Sequence, residues 1–431
     1  MNYFKRSLPE KKNLDKCIDK ISREIDFLYN QSSKNDEFIR LHSSTLGKEE
    51  FLAISKAILE GNITLGAYNN KYESIAKDIF ESNFCVSSNS GSSANLLAIS
   101  SLIQSNKLKR GDKVIVPALA WSTTIFPLVQ YGLIPIYVDM CPVTFNLNTQ
   151  DVVECIKKYD VKAIMLIHTY GNPADMEFFE NFCESNSLLL IEDTCESMGA
   201  SWGGKPVGSF GILGTFSSYY SHHICTLEGG LTVCKDKNIS DLMRSIRSHG
   251  WTRGIDFDLT GEKNIDKIDP DFMFLNMGYN LRLSDPQAAI GCVQLLKLNS
   301  FIERRRKAAE YFIKVINNSK VLSSHLKYQM VFDKALSSWF GFPLIFEKIS
   351  SEDLRELRKV LLNFKIETRP FLAGDFSLQP VNKNFQNICF NSLPNLKDIQ
   401  GNSLALPCHQ DITFDEIEKI GSILENYLKK H

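Results

Sequence analysis

The sequence predicts an α/β protein, a large domain built on a mostly parallel sheet followed by a smaller α+β domain at the C-terminus. Three observations predict it. From Lys113 onward, short apolar runs at residues 114–116, 134–138, 163–167 and 188–191 alternate with helical stretches; strands that are apolar throughout and separated by helices belong to a parallel sheet buried on both faces. Several runs lead into a polar or reactive residue, Trp121, His168 or Asp193, and open α/β sheets place ligands along the carboxyl ends of their strands. Beyond a helical pattern from Ser284 to about Leu298, the pattern changes to helix with mixed strands, which starts a C-terminal domain near Asn299.

Ahead of the sheet, Leu14, Cys17, Ile18, Ile21, Ile25 and Leu28 recur at helical spacing and predict an N-terminal helix that packs on the body. The expected division is an N-terminal helical segment, residues 1–60, a large domain, 61–298, and a small domain, 299–431. At 431 residues and 43% hydrophobic content, the chain can bury a large core. Its 49 basic and 50 acidic residues nearly cancel and form no long run of one sign, so a small-molecule substrate is expected, with no nucleic acid and no membrane surface. Residues 1–29 are broken by charges and no later run is long enough to span a bilayer, which predicts a cytoplasmic protein. The 11 cysteines are scattered singly, without a CxxC pair or zinc pattern, and read as buried free thiols with no metal site.

Three segments carry chemistry. Ser90-Gly91-Ser92-Ser93-Ala94-Asn95 opens an apolar helix pattern, so its amides form either a phosphate cradle or an ordinary serine-rich cap. Asp193 ends the run Leu188-Leu189-Leu190-Ile191-Glu192, where a carboxylate is costly unless it meets a cation or several donors; the alternative is a turn cap. The third segment runs from Gly214 through Phe216-Ser217-Ser218-Tyr219-Tyr220-Ser221-His222-His223 to Glu228-Gly229-Gly230 and a strand at residues 231–234.

That third segment resembles the DegT/DnrJ/EryC1/StrS family of pyridoxal-phosphate (PLP) dependent sugar aminotransferases and dehydratases. The family pattern there is Phe-Ser-Phe, three residues, Lys, five residues, an acidic residue and Gly-Gly, which puts His222 at the lysine position. Further blocks follow in order. They are Thr64-Leu65-Gly66 with Glu73, residues 117–124, Ile167-His168-Thr169-Tyr170-Gly171-Asn172-Pro173, Glu192-Asp193-Thr194-Cys195-Glu196, and Gly278-Tyr279-Asn280-Leu281-Arg282.

The resemblance implies the aminotransferase fold of type I and a homodimer with shared active sites. It also implies roles: Asp193 on the pyridine nitrogen, Ser92, Ser93 and Ser217 on the cofactor phosphate, Trp121 stacked on the ring, Glu196 near the ring oxygen and Asn280 on the phosphate of the other subunit. Glu196 departs from the family, whose aminotransferases have Gln there.

A lysine at this position binds PLP and moves protons; histidine keeps only the second task, because imidazole forms no Schiff base yet is a competent base near neutral pH. His222 with Thr194-Cys195-Glu196 resembles the sugar 3-dehydratases of the family. One branch carries an iron–sulfur cluster, but between Cys234 and Cys292 this chain has no cysteine, reading Ser248-His249-Gly250-Trp251-Thr252-Arg253 instead.

The iron-free branch is therefore expected, with no iron–sulfur cluster. It uses PLP and pyridoxamine phosphate with L-glutamate as co-substrate and removes the C3 hydroxyl of a nucleotide-linked 4-keto-6-deoxy sugar, GDP-4-keto-6-deoxymannose by resemblance. Arg253 is assigned a glutamate carboxylate or a diphosphate. The run from Arg369-Pro370-Phe371 to Gln379-Pro380 resembles both branches, and Cys408-His409-Gln410-Asp411 is read as structural. An aminotransferase with a histidine base, or a sugar-binding relative without catalysis, are the alternatives.

Overall fold

The computed structural model describes residues 11–31, 38–255, 257 and 265–430. Its main sheet has eight strands, in the order Phe84–Ser88, Gly230–Cys234, Leu213–Ser217, Leu189–Asp193, Val161–Ile167, Lys113–Pro117, Ile134–Val138 and Ile388–Cys389. The six from Leu213–Ser217 to Ile388–Cys389 are mutually parallel; Gly230–Cys234 runs against both of its neighbours. Val114, Ile115, Val116, Ile136, Ile164 and Ile191 are fully buried because helices cover both faces. The expected α/β fold with a mostly parallel sheet is what the chain adopts.

Each strand expected from an apolar run is present, and the helix Gly91–Gln104 follows the first strand. Ser90 caps that helix, its hydroxyl accepting from the Ser93 amide at 3.0 Å. The N-terminal helix Lys11–Gln31 also forms, and Lys48 at the start of the next helix, Lys48–Leu59, reaches Asp26 on it at 2.7 Å. Residues 1–10 and 32–37 of the expected N-terminal segment lie outside the described residues.

The helix expected to close near Leu298 runs unbroken from Asp285 to Asn318, through the expected boundary at 299. Residues 299–318 contain neither Pro nor Gly, and an apolar stripe of Phe301, Ile302, Ala308, Ala309, Phe312 and Ile316 stays buried along that half. At its start Asp285 accepts from the amides of Gly66 (2.9 Å) and Asn69 (3.0 Å), placing a carboxylate on the N-terminus of helix Ala67–Ile79.

Past this helix, Leu326–Tyr328, Phe342–Phe346 and Ser403–Leu406 form an antiparallel sheet over a core containing Phe312, Phe342, Leu357 and Ile417. Between Phe342–Phe346 and Ser403–Leu406 the chain returns to the main sheet, where Ile388–Cys389 pairs with Ile136 and Tyr137.

Of the cysteines, seven are buried, but Cys17 and Cys389 are exposed and Cys141 and Cys195 half-buried, so the expectation of uniformly buried thiols is corrected. Cys17, expected on the packed stripe of the N-terminal helix, is exposed there instead, and Cys389 lies on the edge strand of the main sheet. Among the described residues, no helix is long and apolar enough to cross a membrane, and no three His, Cys, Asp or Glu side chains are placed to hold a metal ion.

Candidate active site

Successive side chains of a strand point to opposite faces, so the two carboxylates that end Leu189–Asp193 have different fates. Glu192 is fully buried and saturated: the amides of Gly208, Phe210 and Gly211 donate to it at 2.7, 2.8 and 2.7 Å. His168 completes that shell. The Ala174 amide donates to His168 Nδ1 at 3.1 Å, so the ring proton sits on Nε2, 3.2 Å from Glu192. His168 therefore braces the sheet behind the site, a correction to the expectation that this strand-end residue lines it.

Asp193, on the other side, faces a cavity of about 300 Å³. Its Oδ2 accepts from Asn95 Nδ2 and Thr124 Oγ1, both at 2.8 Å, and its Oδ1 from the Cys195 amide at 3.1 Å. Three donors from separate segments hold this carboxylate at the floor, which offsets the cost of its burial.

The cavity gathers six of the nine expected site residues: Ser92, Trp121, Asp193, Glu196, Ser217 and His222. Ser92 and Ser217 form one end. Gly91 is required there, because a Cβ would lie 2.6 Å from that of Ser217, and this close approach brings the helix N-terminus against the strand end. Trp121, 56% exposed, stands at the mouth.

Ser93 lies one residue beyond the wall, its amide and hydroxyl both engaged by Ser90. Asn280 is exposed beside Ser248, and Arg253 is exposed with its guanidinium 5.3 Å over the Trp251 ring; neither lines the cavity.

His222 forms part of the opposite wall. Its Nδ1 is 2.7 Å from the Cys195 carbonyl, which can only accept, so Nδ1 carries the proton and Nε2 keeps a lone pair. Burial pulls its pKa down to about 4, partly countered by that carbonyl, and the ring is neutral across the physiological range. Its neighbour His223 is fully buried away from the cavity, on the Ser338 carbonyl at 3.2 Å. No lysine lines the cavity among the described residues.

Sequence reasoning missed Asn95 and Thr124 as the holders of Asp193, Phe340 beside the His222 ring at 4.9 Å, and above all Arg369. The Arg369 guanidinium lies 5.5 Å from the centre of the Tyr170 ring and 5.0 Å from that of Phe340, with Nη2 3.6 Å from Glu196 Oε1. Burial raises Glu196 to about 7, against the pull of Arg369. Asn95, Thr124 and Arg369 each sat inside a quoted motif, which was the available signal. The block at 408–411 is structural as expected: the Cys408 carbonyl and the Gln410 side chain accept from buried Arg305 at 2.8 and 3.3 Å.

The profile of the DegT/DnrJ/EryC1/StrS aminotransferase family matches residues 44–425. The chain belongs to this family. Within it, a GDP-4-keto-6-deoxy-D-mannose 3-dehydratase of Yersinia pseudotuberculosis is 39% identical over 390 residues, 89% of this chain and 98% of that protein. The lipopolysaccharide biosynthesis protein RfbH of Salmonella typhimurium is 30% identical, over 89% and 90% of the two chains. Among solved structures, a GDP-4-keto-6-deoxymannose-3-dehydratase with a trapped PLP-glutamate geminal diamine superposes with a TM-score of 0.83 at 37% identity, covering 90% of this chain and all of that one. The large sheet and the helices around it are thus those of the PLP-dependent aminotransferase fold.

Proposed function

We propose that this family member is a PLP-dependent, glutamate-consuming 3-dehydratase of GDP-4-keto-6-deoxymannose, yielding the 4-keto-3,6-dideoxy sugar and ammonia. The observation that carries this is His222, with a free Nε2 on the wall of a cavity that no lysine lines among the described residues.

The cavity fits PLP. Asp193, held by three donors, suits a protonated pyridine nitrogen, Trp121 a ring face, and the end formed by Ser92 and Ser217 a phosphate. Ser92 lines the cavity at this end, and Ser93 supports the same turn through its bonds with Ser90. When bound, PLP supplies an electron sink and an amino-group carrier, which takes nitrogen from L-glutamate and lets the sugar's C3 hydroxyl depart.

The protein supplies proton handling and position. Nε2 of His222 is the base, kept unprotonated by burial and oriented by the Cys195 carbonyl. Imidazole cannot hold the cofactor covalently, so the histidine serves proton transfer alone. Phe340 packs against the ring and fixes its tilt.

The proposal includes a homodimer. Phe272, Phe274 and Met277 are exposed apolar side chains close to exposed Asn280, a surface suited to a second copy whose cavity Asn280 would reach. Arg253 on that same surface would serve a diphosphate or carboxylate of the partner's site. The reading takes residues 61–298 as the cofactor-holding domain and 299–431 as the small one, and places the protein in the cytoplasm, in lipopolysaccharide dideoxysugar synthesis.

The test is product stoichiometry with PLP, L-glutamate and GDP-4-keto-6-deoxymannose. Equal amounts of 2-oxoglutarate and ammonia support the dehydratase; 2-oxoglutarate without ammonia would point to an aminotransferase, and neither product would overturn the reading.

A further inference from the structure

The pair made by Arg369 and Glu196 is half-made at both ends. At 3.6 Å their closest atoms are beyond hydrogen-bond distance, and Arg369 Nη2 is buried without a hydrogen-bond partner among the described residues. Glu196 Oε2 receives only a long bond, from the Tyr170 amide at 3.3 Å. Both residues line the cavity. The guanidinium rests near the Tyr170 and Phe340 rings with its unpartnered Nη2 at the cavity wall, and a planar donor fork of this kind binds a carboxylate through two parallel hydrogen bonds.

We propose that Arg369 recognises a carboxylate of the amino donor, and that on turning from Glu196 to that carboxylate it lets Glu196 take up one proton from solvent. This rests on the function proposed above, and it moves to Arg369 the glutamate-binding role assigned to Arg253 from sequence.

The charge balance follows from the surroundings of Glu196. Asp193 and burial both oppose a charge on it; Arg369 is the cation that favours one, and the Tyr170 amide assists; His222 and the Cys195 thiol nearby are neutral. With all of these acting Glu196 titrates at about 7, so an anion that occupies Arg369 must push it higher. One negative charge then enters with one proton, and the cavity keeps its net charge. Neutral glutamic acid then offers the hydrogen-bond donor that a glutamine would, and it returns the proton to solvent when the carboxylate leaves Arg369.

The test is calorimetry on the PLP-loaded protein at pH 8, titrating glutarate, an inert five-carbon diacid, in buffers of different ionisation enthalpy. Wild-type protein is expected to take up approaching one proton per glutarate bound. Glu196→Gln should bind glutarate with no uptake, and Arg369→Gln should bind at least about tenfold more weakly, with Arg369→Lys between. Glutarate binding without proton uptake in the wild type, equal uptake in Glu196→Gln, or undiminished affinity in Arg369→Gln would each overturn the proposal. Because glutarate undergoes no reaction, these readings stand or fall apart from sugar dehydration; PLP occupancy is checked by absorbance in every variant.

Discussion

The floor of the cavity and its Arg369 side are built on opposite principles. At the floor, Asp193 accepts three hydrogen bonds from Asn95, Thr124 and the Cys195 amide, each between 2.8 and 3.1 Å. Across from it, Glu196 has one long hydrogen bond and a cation at 3.6 Å. Saturated, a buried charge is fixed in place and in protonation state; under-bonded, it is free to change partner and proton. A proton-transfer site needs both kinds, a fixed counter-charge and a group that titrates in the working range.

Perturbing the fixed elements should cost most. His222→Asn keeps a polar side chain of similar reach but no base, and kcat should fall by roughly a hundred- to ten-thousandfold while PLP binding, followed by absorbance, persists. Asp193→Ala removes the counter-charge and strands two side-chain donors. PLP affinity should fall with activity, and the unfolding free energy should drop by about 1–3 kcal/mol, measured by denaturant titration.

Thr124→Val sharpens the comparison by removing one of the three donors. The expected loss is about 1 kcal/mol of transition-state stabilisation, near fivefold in kcat/KM, with no change in fold by circular dichroism.

The mildest test is pH. His222 holds its base form above about 4, so its acid limb in the kcat profile should lie well below the 6.5 of a free imidazole. Glu196, protonated below about 7 and ionised above it in the free enzyme, should add an inflection near neutrality to the kcat/KM profile for L-glutamate, which Glu196→Gln removes.

The sheet was legible because its strands are uniformly apolar and its helices amphipathic, so local pattern and burial agree. Asp193, Ser217 and His222 were legible because each sits at a strand end or at a fixed distance from Glu228-Gly229-Gly230. Arg369 was not legible as a site residue. It lies more than 140 positions beyond His222 and is brought back by long-range contacts such as Arg369 with Ala405, Leu119 with Asp375 and Leu372 with Tyr170, which no local pattern encodes. His168 misled for the converse reason: a strand-end position carries chemistry on one face of the sheet and bracing on the other, and one residue of register separates them. The end of the long helix was misplaced because a change in sequence pattern marked a change of neighbours, while the helix itself continued.

The central claim is that residue 222 stands where a covalent cofactor lysine would and, being histidine, is left with proton transfer alone. It is tested most directly by borohydride reduction of PLP-loaded His222→Lys, followed by peptide mass spectrometry. A phosphopyridoxyl group on residue 222 of the variant, absent from the same peptide of the wild type, is the predicted result. An unmodified residue 222 in a variant that binds PLP would contradict it.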